Sequence, residues 1–171
     1  MTPDRVTIDG AGDIRLEGRW DRPPTPSGAV VFCHPHPQHG GTMTAPLMHK
    51  VTKGLVARGL SVLRYNFRGV GLSTGGWDGG LGEIDEVAAA VARARHDHPD
   101  LELGLAGWSF GAATALAWQA RENDRSTMVG IAPPVMTELV ERLPTPETLA
   151  PASRLLIVGD RDQYVTVADL Q

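Results

Sequence analysis

Apolar and polar positions alternate over 5–9 and 14–20, where Val6, Ile8, Ile14 and Leu16 interleave with Thr7, Asp9, Arg15 and Glu17. A period of two predicts two half-buried strands, and Gly10-Ala11-Gly12-Asp13 between them supplies the turn of a β-hairpin. A proline-rich connector covers 22–28. The next run, AVVFC at 29–33, is apolar without interruption and stops at His34. Such a run suits a strand buried on both faces, as in a parallel sheet. The period then changes. Met48, Val51, Leu55 and Val56 have helical spacing, with Gly59 as the stop before LSVLRYNF at 60–67. Leu81, Ile84, Val87, Ala88 and Val91 mark one face of a second helix, which ends at Asp97-His98-Pro99. LELGLAG at 101–107 is the next strand, and FGAATALAWQA at 110–120 a helix of small residues fit for close packing. STMVGIAPP and RLLIVGD are two further strands, with a loop or short helices over 134–150. After the antiparallel start, strand and helix alternate. The pattern predicts an α/β fold, a mostly parallel sheet with helices on both faces, in one domain over 1–171 without internal repeats.

Composition narrows the function. The 171 residues suit one domain with a sizeable core. A net charge of −4 without a basic block argues against nucleic-acid binding. One cysteine, Cys33, excludes an intrachain disulfide framework and most cysteine metal sites, and fits a reducing compartment. No apolar run approaches the ~18 residues of a membrane span, and the N-terminus has no signal-peptide core, so the expected location is the cytoplasm.

The glycines fall between strand-like runs and helix-like patterns, and one cluster carries chemistry. Gly107-Trp108-Ser109-Phe110-Gly111 is a G-x-S-x-G between a predicted strand and a predicted helix. A serine at that sharp turn is held in a strained conformation with its hydroxyl above the sheet, and side chains two residues either side would collide. The Phe110 N–H then points from the helix N-terminus to where negative charge develops in acyl transfer. The alternative is a plain strand–turn–helix with a surface serine.

A second cluster, HPHPQHGGT at 34–42, directly follows the buried strand, where open α/β sheets bind ligands. His36 can supply a second backbone donor, since Pro35 and Pro37 have no N–H. Its three histidines, His34, His36 and His39, invite a metal reading; the absence of a carboxylate in the loop and the two stiffening prolines count against it. The bland reading has His34 hydrogen-bonding backbone to hold the turn. In the third, NFRGVGLS at 66–73, a dinucleotide fingerprint fails because Thr74 stands where the third glycine is needed. Arg68 there anchors its loop to a carboxylate or binds an anionic substrate group, and the former is the commoner use. Trp77 and Trp108 are candidates to line a pocket, and Trp118 to pack in the core. Past the last strand, Asp162 is better placed than Asp160 to hold a histidine tautomer; Asp160 fits a turn-fixing role, and a structural role for both is the alternative.

The chain resembles the α/β-hydrolase superfamily over nearly its whole length, and HPHPQHGGTM, NFRGVGLS and GWSFG are similar to a small bacterial subgroup of hydrolases. The resemblance implies Ser109 as nucleophile, the N–H groups of His36 and Phe110 as oxyanion hole, and Asp162 as triad acid. Trp108, Gly40 and Gly41 are expected at the substrate. It implies a serine hydrolase of carboxylic esters or thioesters, with a small-molecule substrate and no cofactor or metal. The family pattern puts the catalytic histidine after one further strand, and none of the six histidines follows Asp162. The expectation is therefore a chain truncated inside YVTVADLQ, with an open sheet edge through which copies self-associate. The competing expectation is a non-catalytic binding protein that keeps the fold.

Overall fold

The computed structural model describes residues 4–134, 148–163 and 165–168. Strands β1 (Asp4–Asp9) and β2 (Arg15–Asp21) form the antiparallel hairpin, with Ile8 opposite Leu16. β3 (Gly28–Cys33), β4 (Leu60–Tyr65), β5 (Leu103–Trp108), β6 (Met128–Ile131) and β7 (Arg154–Ile157) run parallel to one another. The sheet order is β1-β2-β4-β3-β5-β6-β7, with β2 antiparallel to β4. Helix α1 (Pro46–Val56) joins β3 to β4, α2 (Leu81–Asp97) joins β4 to β5, and α3 (Phe110–Glu122) joins β5 to β6.

The order reverses at β3, and this decides where the helices lie. The chain leaves β3 toward one edge and later leaves β5 toward the other, so right-handed crossovers put α1 on one face and α2 and α3 on the opposite face. Two apolar clusters reflect the two faces. Val31, Cys33, Leu63, Leu105 and Met128 pack with α2 and α3, while Val30, Phe32, Val62 and Ala106 pack with Met48 of α1. All residues of β3 are buried, as its unbroken apolar run predicts. The loops after β3 and β5 diverge to opposite faces and leave a crevice at the carboxyl end of the sheet, where such folds bind ligands.

One helix differs from the expected pattern. In α2, Leu81 is 43% exposed, whereas Glu83 and Glu86 are buried beside Val87, Ala90, Val91 and Ala94. The buried stripe is rotated because both acids have partners. Glu83 accepts the N–H groups of Asp78 (3.1 Å) and Gly80 (2.9 Å), and Glu86 pairs with Arg68. Trp118 is in the core, as expected. Among the described residues β7 is the edge strand opposite β1, with Leu155 56% and Ile157 46% exposed. Most of the 134–150 connection, and Tyr164 with 169–171 of the expected final helix, lie outside the described residues. No helix among the described residues is long and apolar enough to cross a membrane.

Cys33 is fully buried, with Sγ 3.4 Å from the Tyr65 hydroxyl, and burial pushes its thiol up to about 12. A protonated, enclosed thiol is neither nucleophile nor redox sensor. Iodoacetamide at pH 8 is expected to leave the folded protein unmodified and to alkylate Cys33 in denaturing urea, read by intact mass.

Candidate active site

The serine turn is a strained junction between β5 and α3. Ser109 has φ 52° and ψ −122°, a region that side chains other than glycine avoid at a cost of about 1–3 kcal/mol. The surrounding hydrogen bonds impose it: the Ser109 N–H donates to Ile131 O (2.8 Å), and its carbonyl accepts from Ala112 (2.9 Å) and Ala113 (3.1 Å). The hydroxyl makes no helix cap. A Cβ on Gly107 would lie 2.4 Å from the backbone N and Cα of Ala112. One on Gly111 would lie 2.4 Å from the carbonyl oxygens of both Cys33 and His34, so Gly111 lets the turn press against the loop after β3. The Phe110 N–H, in the first turn of α3, has no acceptor among the described residues.

The loop after β3 is built around two histidines with different tasks. His34 is fully buried; its Nδ1 donates to Pro35 O (2.6 Å), and Nε2 accepts the Phe67 N–H (3.0 Å). These partners fix the tautomer and hold the loop to the end of β4. Both ring nitrogens are committed, which removes His34 as a metal ligand or base. Burial pushes His34 down to about 4. Below the ordinary value of 6.5 the unfolded state takes up the proton first, so this group withdraws stability as pH falls from 6.5 toward 4. Urea melts at pH 7.5 and 5 are expected to show a larger loss for the wild type than for His34→Gln.

His36 caps the short turn Pro37–His39, its Nδ1 accepting the Gln38 N–H (3.2 Å) and its carbonyl accepting from His39 (3.1 Å) and Gly41 (3.0 Å). The His36 N–H itself has no acceptor among the described residues. Gly40 takes φ 79°, and a Cβ on Gly41 would sit 2.0 Å from Pro35 O. The Gly41 N–H closes the loop on the His36 carbonyl. The His36 ring lies 5.0 Å from the Phe110 ring and 4.6 Å from that of Trp77. Burial and His39 push the His36 imidazole below its ordinary value.

Polar residues outside the serine and histidine clusters hold this loop, a task that sequence reasoning assigned to none of them. Asn66 Oδ1 accepts the Met43 N–H (2.9 Å) while its Nδ2 donates to Glu17 (2.8 Å). Arg64, buried in β4, donates to Met43 O (2.7 Å) and pairs with Asp21. The available signal was a set of polar side chains at the end of an otherwise buried strand.

Arg68 anchors its loop as the commoner reading had it: its backbone N–H donates to Glu86 (2.9 Å) and its guanidinium pairs with Glu86 and Asp78. Burial raises Glu86 to about 7 despite that cation. Asp162 lies in the turn after β7, where its Oδ1 accepts the Val165 N–H (3.0 Å) and its own N–H donates to Gly159 O (3.1 Å). The loops bearing His36, Ser109 and Asp162 thus all follow parallel strands at the carboxyl end of the sheet. Trp108 packs with the apolar cluster on the α1 face; the indole against His36 and Phe110 is Trp77.

Known proteins share this architecture. An alpha-beta serine hydrolase homologue from Coxiella burnetii matches with 34% identity and TM-score 0.85, covering 99% of this chain and 80% of that one. An α/β serine hydrolase without lid from Xanthomonas campestris matches with 32% identity and TM-score 0.85, covering 98% and 76%. The Pyrococcus furiosus esterase Pf2001, 22% identical with TM-score 0.81 over 99% of this chain and 76% of its own, shares the fold. An uncharacterized protein of Rickettsia prowazekii is 32% identical over 165 residues, 92% of this chain, and the chain spans 66% of that relative's length. The family model described as serine aminopeptidase, S33, matches residues 24–156. The chain belongs to this serine aminopeptidase (S33) family of α/β hydrolases.

Proposed function

We propose that the protein is a serine hydrolase of carboxylic esters or thioesters. Ser109 Oγ attacks the acyl carbon, the alcohol or thiol leaves, and water then hydrolyses the acyl-enzyme. The developing oxyanion is received by the N–H groups of His36 and Phe110, and Asp162 is the acid that orients a catalytic imidazole, which takes the Ser109 proton and returns it to the leaving alcohol or thiol; that imidazole is assigned to none of the six histidines of this sequence. Trp108, Gly40 and Gly41 are the contacts to the substrate in this reading. The single observation behind it is the strained Ser109 turn, pressed through Gly111 against the loop that carries His36. Strain at a partly exposed serine, next to a backbone N–H that has no acceptor among the described residues, is what acyl transfer can use.

The test is a fluorophosphonate probe on the full-length protein, followed by peptide mapping and hydrolysis of p-nitrophenyl acyl esters. A single adduct on Ser109 with turnover of short-chain esters supports the reading. A protein that binds the ester without adduct or turnover is a non-catalytic member of the family.

A further inference from the structure

The loop between β4 and α2 ends in a feature that neither sequence motif contains. Trp77 sits where three rings meet: its indole is 4.6 Å from the His36 ring and 5.3 Å from Phe110, which are 5.0 Å from each other. These two residues carry the backbone N–H groups that have no acceptor among the described residues. His39 stacks on the outer face of His36 at 4.5 Å. Phe67, itself against His34, supports Phe110 from beneath at 5.5 Å.

The loop carrying Trp77 is fastened at both ends. On the near side, Arg68 is locked to Glu86 through backbone and side chain, and its guanidinium reaches Asp78, the residue after Trp77. Gly82 makes room for that guanidinium, since a Cβ there would lie 2.1 Å from its Cζ. On the far side, buried Glu83 holds the N–H groups of Asp78 and Gly80. A glycine-rich loop with no such ties would leave the indole free to swing away.

We infer that Trp77 is a positioning residue, a brace that fixes the separation of the His36 and Phe110 N–H groups by packing against both of their rings. This rests on the proposed acyl-transfer reading for its catalytic consequence, while the brace itself does not. Donors for a developing charge act only when preset within a few tenths of an ångström, because reorganisation during the reaction cancels the gain. Removing the indole lets the two loops relax independently.

The experiment compares the full-length wild type with Trp77→Ala and Trp77→Phe by two measurements. In the first, the rates of fluorophosphonate labelling and of p-nitrophenyl acetate hydrolysis are measured. Trp77→Ala is expected to lower kcat and the labelling rate by about tenfold to a hundredfold with KM little changed, and Trp77→Phe to stay within about threefold of wild type. In the second, the His36 ring is titrated by NMR. Loss of the indole hydrates that ring, so in Trp77→Ala the His36 midpoint moves up toward 6.5 and its ring-current shift collapses, with recovery in Trp77→Phe. A wild type inert to probe and ester would refute the acyl-transfer reading, and the titration alone then decides the brace. A reactive wild type with Trp77→Ala unchanged in kcat, or a His36 titration unmoved by the substitution, would overturn the inference.

Discussion

Ser109→Ala is expected to reduce ester hydrolysis by on the order of 10⁴-fold while leaving the fold intact. The hydroxyl makes no helix cap, and the backbone bonds that fix the turn belong to the N–H and carbonyl of residue 109, which alanine keeps. Circular dichroism and the urea midpoint should therefore match wild type while turnover disappears. Ser109→Gly separates the two roles further. Glycine enters φ 52° freely, so this variant is expected to gain about 1 kcal/mol of stability and to be equally inactive. A site that gains stability when its side chain is deleted is one where strain is held for chemistry.

Gly111→Ala is the substitution with the largest expected effect on the fold. Its Cβ would lie 2.4 Å from two carbonyl oxygens, those of Cys33 and His34, and both belong to backbone that cannot rotate away. Relief requires α3 to move off the end of β3, which opens the core at Phe110 and the crevice together. We expect a loss of about 3 kcal/mol or more, read from denaturant melts, with aggregation on expression. Gly76→Ala is the control: it meets nothing within 4 Å and should melt like wild type.

The elements that follow from hydrophobic period were legible before any coordinates. The unbroken run 29–33 became a strand buried along its whole length, and the hairpin and the alternation after it appeared in the expected order. The glycine pattern around Ser109 was legible because steric exclusion at a tight turn is a local matter, settled within five residues. The supports of the site were not. Asn66 reaches Glu17 across 49 positions, and Glu86 is buried in α2 only because Arg68, 18 positions earlier, faces it. A periodicity reading treats Glu83 and Glu86 as solvent-facing and Leu81 as core, and the structure inverts all three. The brace by Trp77 was hidden for the same reason: rings from two loops and from the first turn of α3 meet only after the sheet brings them together.

The most direct measurement of the central claim is a crystal structure of the protein after reaction with a fluorophosphonate. The reaction breaks the P–F bond, forms a P–O bond to the attacking oxygen and leaves a phosphonyl oxygen in place of the developing oxyanion. The account predicts phosphorus on Ser109 Oγ and that oxygen about 2.7–3.1 Å from the N–H groups of both His36 and Phe110. Phosphorus on another residue, or a phosphonyl oxygen turned to solvent with those two N–H groups still unpaired, would contradict it.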